Sequence, residues 1–350
     1  IFLPGSGVQR GTLLIGSGDP LSPGWPSVEN AYRLTTDQVD LPKIPAQPIG
    51  YDDAKRLLET MGGTDPPEGW KGGIVGIDYK LGDAELDDFK GWEVTVEINN
   101  YQASKKTPNV IGYITGDIEP DRYVFLSNHR DAWGYGSVDP GSGTAQLMEV
   151  ARAMGNRRKN GWRPRRTIIF ANWAAEEYGI MGSYEFVFDK IHEITHRSVG
   201  LVNTDSCSSG PIAKPQASPV LQNLVNKAFQ QIPDPINQTR TYYEFWDEWT
   251  NLADDEGNKR EPKALKNNYK KPKIDLLGSG SDHAPFSFYA GVPAVQTRFR
   301  DDTKKYKGVS HYPTYHTGFE TFYLYDKLID PGYKIMRTCA QSSIHLILNM

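Results

Sequence analysis

Cysteine is nearly absent from this 350-residue chain, with Cys207 and Cys339 its whole complement. Two cysteines neither make up a zinc-ligand set nor demand an oxidising compartment; they could pair, but two buried thiols are the simpler reading. No apolar run approaches the length of about 18 residues that reads as a membrane-spanning helix. Neither sign of charge dominates: 39 Lys and Arg against 43 Asp and Glu leave a formal net charge of −4. That balance removes the electrostatic basis for binding nucleic acid or an anionic membrane surface. Histidine is scarce as well, seven in all, so the place of each one carries information.

No signal-peptide pattern opens the chain, which starts IFLPGSGVQRG and stops at HLILNM inside an apparent helix. Both ends read as the interior of a longer protein. One glycosylation sequon, at Asn237 and Thr239, is compatible with secretion.

Two textures follow one another. Residues 1–103 are short apolar runs punctuated by Gly and Pro, with a helix expected over 51–61 and a strand over 92–98, which reads as a mostly-β accessory domain. Residues 104–350 alternate strands and helices, the pattern of an α/β domain with a largely parallel sheet flanked by helices. Strands are expected over 109–114, 123–127, 167–172, 199–203 and 294–298. Helices are expected over 143–156, 181–190, 220–231, 282–290 and from about 333. The charged span 247–273 reads as a solvated insertion.

What is present concentrates at strand ends. The stretch YVFLSNHRDAWGYGSVDPGSG runs from a buried strand into His129, then to Asp139 just before a helix. The strand TIIFAN runs into Glu176 and Glu177, and the strand VGLVN into Asp205; His316 lies in the loop YPTYHT. Adjacent carboxylates at a strand end are costly unless cations or water neutralise them. Neighbouring side chains there point apart, so one glutamate can hold a metal while the other faces substrate. His129, Asp139, Glu177, Asp205 and His316, with no thiolate, suit a co-catalytic pair of zinc ions, one carboxylate bridging them. Glu176 is then left over as a general base.

Together NHRDAWGYGSVDPGSG, RPRRTIIFANWAAEEYGIMGSYE, NTDS, LGSGSD and YPTYHTGFET resemble glutamate carboxypeptidase II and its relatives. That group of membrane-anchored zinc exopeptidases includes the N-acetylated-α-linked acidic dipeptidases and the inactive transferrin receptors. The resemblance implies a zinc-exopeptidase mixed sheet over 104–350 and part of a protease-associated apical domain over 1–103. It implies Asp139 bridging two zinc ions, His129 and Asp205 on one, Glu177 and His316 on the other, and Glu176 as proton shuttle. Asp131 would orient the active-site groups, and Tyr315 would donate its hydroxyl to the oxyanion. Gly280, Ser281, Gln296, Arg298 and Tyr315 would line the substrate pocket, while His283 reads as structural. The family's calcium site maps onto Ser22, Trp25, Glu185 and Phe188, where only Glu185 offers a strong ligand, so calcium is not expected. Thr12 falls near a substrate-touching position. Partners implied are a peptide substrate and a second subunit, on the extracellular side of a membrane with a type II anchor.

The function expected is therefore a di-zinc exopeptidase releasing C-terminal residues. Gln296 stands where acid-specific relatives carry a second arginine, which predicts broader substrate use than theirs. Alternatives are an aminopeptidase of the same family, a catalytically inactive transferrin-receptor-like binding protein, or a single-zinc glutaminyl-cyclase-like acyltransferase.

Overall fold

The computed structural model describes residues 3–101, 103–251, 271–305 and 311–350. In chain order it runs α1 (Tyr51–Leu58), β1 (Met61–Gly62), β2 (Ala84–Glu85), β3 (Val110–Ile114), β4 (Glu119–His129), α2 (Gly141–Lys159) and β5 (Arg166–Trp173). Next come α3 (Met181–Asp189), α4 (Ile191–Arg197), β6 (Ser198–Asn203), β7 (Ile212–Ala213), β8 (Gln216–Ala217), α5 (Gln222–Gln231) and α6 (Tyr242–Thr250). Last are α7 (His283–Phe288), β9 (Ala294–Gln296), β10 (Phe299–Arg300), a π-helical turn at Leu324–Ile329 and α8 (Lys334–Asn349).

Six strands form one mixed sheet in the order β3-β5-β4-β6-β9-β8. The inner four are parallel and the two edge strands antiparallel. Parallel strands are covered on both faces, so they read as continuous apolar runs, and β4 obeys this with Val124, Phe125 and Leu126 all buried. Successive side chains still alternate between faces. Val124 and Leu126 join the larger core with Leu147, Val150, Ile168, Phe170 and Leu346, under α2, α5 and α8. Phe125 joins the other core with Trp173, Val187, Ile194, Leu201 and Phe286, under α3, α4 and α7. Each such fully buried side chain contributes about 1.5–3 kcal/mol of hydrophobic stabilisation, so the sheet's two faces hold the strand ends in register.

Every expected strand and helix from 104 onward has a counterpart within a few residues. The span 247–273 differs: residues 247–250 belong to α6, and 252–270 lie outside the described residues. A Thr241–Glu244 capping box starts α6. In residues 3–101 the mostly-β texture is not realised; α1 and the two-residue pair β1–β2 are the principal regular elements. The strand expected over 92–98 does not form. A strand needs a neighbour for its hydrogen bonds, and Trp92, Val94 and Val96 lie exposed with no paired strand among the described residues. The simpler reading of the cysteines also gives way, because Cys207 and Cys339 are paired, tying the segment after β6 to α8.

Gly143 lets the start of α2 close on the end of β6. A Cβ there would lie 2.2 Å from the Asp205 carbonyl oxygen and 2.5 Å from that of Thr204. Both obstacles are backbone. Gly143→Ala should therefore destabilise the protein by about 1–3 kcal/mol, the usual cost of overpacking, read as an earlier midpoint in chemical denaturation with an unchanged slope.

Candidate metal centre

The chain crosses from one side of β4 to the other between β5 and β6. At such a switch point the C-terminal strand ends border a crevice that accepts ligands. His129 is the last residue of β4, Glu176 and Glu177 follow β5, and Asp205 follows β6. Asp139 sits just ahead of α2, its peptide bond to Pro140 cis. His316, in the left-handed backbone region at φ 57°, comes from the loop between β10 and the π-helical turn.

These five side chains form two triads sharing one member. The candidate ligand atoms of His129, Asp139 and Asp205 lie within 4.8 Å of one another, and so do those of Asp139, Glu177 and His316. Asp139 divides its oxygens between them. Its Oδ1 is 3.2 Å from His129 Nε2, and its Oδ2 is 3.5 Å from His316 Nε2. Asp205 Oδ1 is 3.6 Å from His129 Nε2, and Glu177 Oε2 is 3.1 Å from His316 Nε2.

The supports around this cluster orient it. His129 Nδ1 donates to the Asp131 carbonyl at 3.0 Å, and His316 Nδ1 to the Arg10 carbonyl at 3.0 Å. A carbonyl only accepts, so both Nδ1 atoms carry protons and both Nε2 atoms face the carboxylates, the arrangement that prepares histidine for metal. The Asp131 carboxylate accepts from the Glu176 and Glu177 amides at 3.0 and 3.1 Å, which holds the turn bearing both glutamates. Ser281, expected to touch substrate, is fully buried and donates to Asp205 Oδ2 at 2.6 Å while accepting from Asn203. Thr12, expected near substrate, donates to the Glu177 carbonyl at 2.7 Å.

Electrostatics show what the cluster lacks. Burial pushes Glu176 well up, with the charges of Asp205, Asp282 and Glu177 adding to it against His129. Burial, together with Asp139, also raises Glu177. Burial opposes a charged imidazole, yet contacts with Asp139 and Glu177 outweigh it and push His316 up to about 10. So many carboxylates around two imidazoles call for added positive charge. Asp139 Oδ1, Glu177 Oε1 and His316 Nε2 are moreover buried without hydrogen-bond partners among the described residues. The donor set of imidazole nitrogen and carboxylate oxygen suits zinc, so the residues fit that metal.

Tyr315 stacks on His316 with ring centroids 3.7 Å apart, and burial followed by nearby carboxylates raises its hydroxyl, keeping it a donor. Gly280 is exposed at φ 99°, Gln296 is buried within β9, and Arg298 is half-buried with its Nε unpartnered among the described residues. His283 is buried and bonds the Gly278 carbonyl through Nε2 at 2.7 Å. Away from the centre, Glu185 accepts from the amides of Asp19 and Ser27 at 2.8 and 2.6 Å. Among the described residues buried Ser22 has no partner for its hydroxyl; Trp25 donates to the Tyr32 carbonyl, and Phe188 packs on Tyr184 and Tyr289.

Two acidic residues escaped the sequence reading. Glu320 is buried, and its Oε1 accepts from the amides of Val138 and Asp139 at 2.9 and 2.5 Å, which sets the backbone of the shared aspartate. Asp282 is fully buried, bonded by the Ser183 hydroxyl at 2.6 Å and pushed up to about 7 by burial. No spacing rule marks either; Glu320 lies four residues after His316 in a loop, where that interval has no fixed direction.

The sequence profile of peptidase family M28 matches residues 109–328, and the chain belongs to that family. Aminopeptidase NAALADL1 of Rattus norvegicus is 37% identical over 354 aligned positions, covering 99% of this chain and 46% of that protein. The glutamate carboxypeptidase 2 homolog of Caenorhabditis briggsae is 38% identical, covering 94% and 42%. The probable glutamate carboxypeptidase LAMP1 of Arabidopsis thaliana is also 38% identical, covering 98% and 45%. The chain thus spans somewhat less than half the length of these relatives. Among solved structures, the LapA aminopeptidase of Legionella pneumophila aligns over 69% of this chain and 54% of its own, at 19% identity and a TM-score of 0.47.

Removing the Glu320 carboxylate leaves two amides beside Asp139 without their acceptor. Glu320→Ala should lower zinc affinity about 10- to 100-fold, as loss of a supporting partner does. A competing-chelator titration checks it.

Proposed function

We propose that this chain carries the catalytic centre of a two-zinc exopeptidase that hydrolyses short peptides, in the manner of a glutamate carboxypeptidase. The observation that carries the reading is Asp139, whose two oxygens face two separate histidine–carboxylate pairs while Glu176 stays outside both. His129 and Asp205 would hold one ion, Glu177 and His316 the other, and Asp139 both. Bound there, zinc supplies the positive charge that polarises a peptide carbonyl and makes water acidic enough to react near neutral pH.

The residues divide the remaining work. Glu176, raised by its surroundings, takes a proton from the attacking water and returns it to the leaving amine. The Tyr315 hydroxyl donates to the oxygen that gains negative charge. Asp131 keeps Glu176 and Glu177 in a fixed relation by holding both amides. A receptor without chemistry would have no use for so many carboxylates gathered around unpartnered atoms, which favours the enzyme over the transferrin-receptor alternative.

Glu176→Gln should lower kcat about 10²- to 10⁴-fold, the usual contribution of a general acid–base group, while zinc content stays at two per subunit. Asp139→Ala should lose zinc, because both triads share it. Elemental analysis of full-length protein showing no stoichiometric zinc would overturn the enzyme reading.

The pocket's charge points to a carboxylate-bearing substrate with relaxed stringency. Gln296 supplies no charge, but Arg298 and Arg300 flank core residue Phe299, so both turn away from it. Each leaves a buried guanidinium nitrogen without a partner among the described residues, and the charge of Arg300 reaches both Arg298 and Asp205. Exchanging a charge-assisted hydrogen bond for a neutral one costs about 1 kcal/mol. Arg298→Gln and Arg300→Gln should each lower kcat/KM for acidic peptides several-fold relative to neutral ones; an unchanged ratio would remove these residues from the pocket. The same family reading carries a paired subunit on the outer side of a membrane; among the described residues no helix is long and apolar enough to cross one.

A further inference from the structure

The two triads share Asp131, whose carbonyl accepts from His129 Nδ1 and whose carboxylate accepts from the Glu177 amide, but only one of them is also held from far ahead in the sequence. Around His129 and Asp205 the side-chain supports come from the peptidase sheet and the elements packed on it: the Asp131 carbonyl on His129 Nδ1, Asn128 on the Asp205 carbonyl and the Ser281 hydroxyl on Asp205 Oδ2. Around His316 and Glu177, besides the Asp131 carboxylate on the Glu177 amide, further supports come from far ahead in the sequence. Arg10 brackets His316 through its backbone, its N–H donating to the His316 carbonyl at 2.8 Å and its carbonyl accepting from His316 Nδ1 at 3.0 Å. Two residues on, the Thr12 hydroxyl donates to the Glu177 carbonyl at 2.7 Å.

This segment continues as a strap along the glutamate turn. The Gly18 amide donates to the Gly179 carbonyl at 2.7 Å, and Gly179, at φ 115°, has Leu14 Cδ1 3.1 Å from where its Cβ would stand. Beyond it Glu185 takes the amides of Asp19 and Ser27, fastening the strap to α3. The strap thus meets the backbone of one ion's two unshared ligands, and none of these contacts reaches His129 or Asp205.

We propose that residues 10–18 are a positioning element for the Glu177/His316 zinc ion alone, so that the segment preceding the sheet governs the affinity of one metal site and leaves the other unchanged. This rests on the two-zinc reading above. Physically, His316 occupies a left-handed backbone conformation that needs surrounding contacts to persist, and the Arg10 bracket supplies them. It also fixes which ring nitrogen faces the ion. Thr12 sets the carbonyl of Glu177 and thereby the turn from which that ligand projects. Thr12 is itself exposed and is placed in no catalytic role.

The test is a zinc titration of the full-length protein against a competing chelator, which reads the two affinities separately. Thr12→Val keeps the shape and removes the donor; one site should weaken about 10-fold, the lower end of what lost ligand support costs, and the other should hold. Thr12→Ser, which restores the hydroxyl, should restore the affinity. Combined with Asp205→Asn the Thr12→Val loss should add, and combined with Glu177→Gln it should not, since groups acting through one another are not additive. Equal weakening of both sites, or none, overturns the strap proposal and leaves the two-zinc reading standing. A wild-type protein that binds fewer than two zinc ions overturns both.

Discussion

Repulsion among carboxylates gathered around Asp139 is the constraint on which the rest of this structure turns. Asp139, Glu176, Glu177 and Asp205 converge on two imidazoles, and in the protein alone Glu176, Glu177 and His316 are all pushed toward protonation. A chain does not hold such a cluster by chance packing, since each buried carboxylate costs several kcal/mol unless charge or hydrogen bonds offset it. Around the cluster the fold responds with donors: the amides over Asp131, the Ser281 hydroxyl on Asp205 and the Nδ1 protons aimed at carbonyls. What remains unsatisfied at the centre is acceptor capacity facing inward, the shape of a demand for cations.

The sheet makes that convergence possible. Parallel strands end together, and the crossing from β5 to β6 on opposite sides of β4 opens a crevice where three strand ends meet. Two separate cores, one on each face, hold β4 so that His129 at its tip is almost fully buried yet aimed outward along the strand. Gly143 then permits α2 to approach the end of β6 closely enough for Asp139 and Asp205 to face the same imidazole. Packing in the body of the domain and geometry at its rim are thus one problem.

Much of the peptidase half was legible because its signals are local. Apolar runs bounded by polar strand ends marked β4, β5 and β6 nearly to their limits, and the ligand residues sit at those limits. The expectations that failed were those needing a distant partner. Residues 92–98 carry a strand-like composition, but among the described residues no neighbouring strand completes a ladder. Through-space partners were equally illegible elsewhere: the hydroxyls of Ser281 and Thr12 donate to Asp205 and to the Glu177 carbonyl, relations that no spacing announces. At α6 the start signal is local, the Thr241–Glu244 capping box, but the charged residues that follow mask the helical pattern.

By itself the sequence determined the chemistry available: two histidines and four carboxylates at strand ends or in loops, no thiolate among them, and the short apolar runs alternating with helical segments that build an α/β sheet. Ligand identity is a property of side-chain type, and strand ends are marked by local pattern, so both survive in one dimension. Only the tertiary structure decided that Asp139 faces both histidines, that Glu320 holds its backbone, that Cys207 meets Cys339, and that Arg10 reaches His316 across 306 positions. Those are through-space relations set by how two cores close and where backbone donors find acceptors, and no spacing along the chain encodes them.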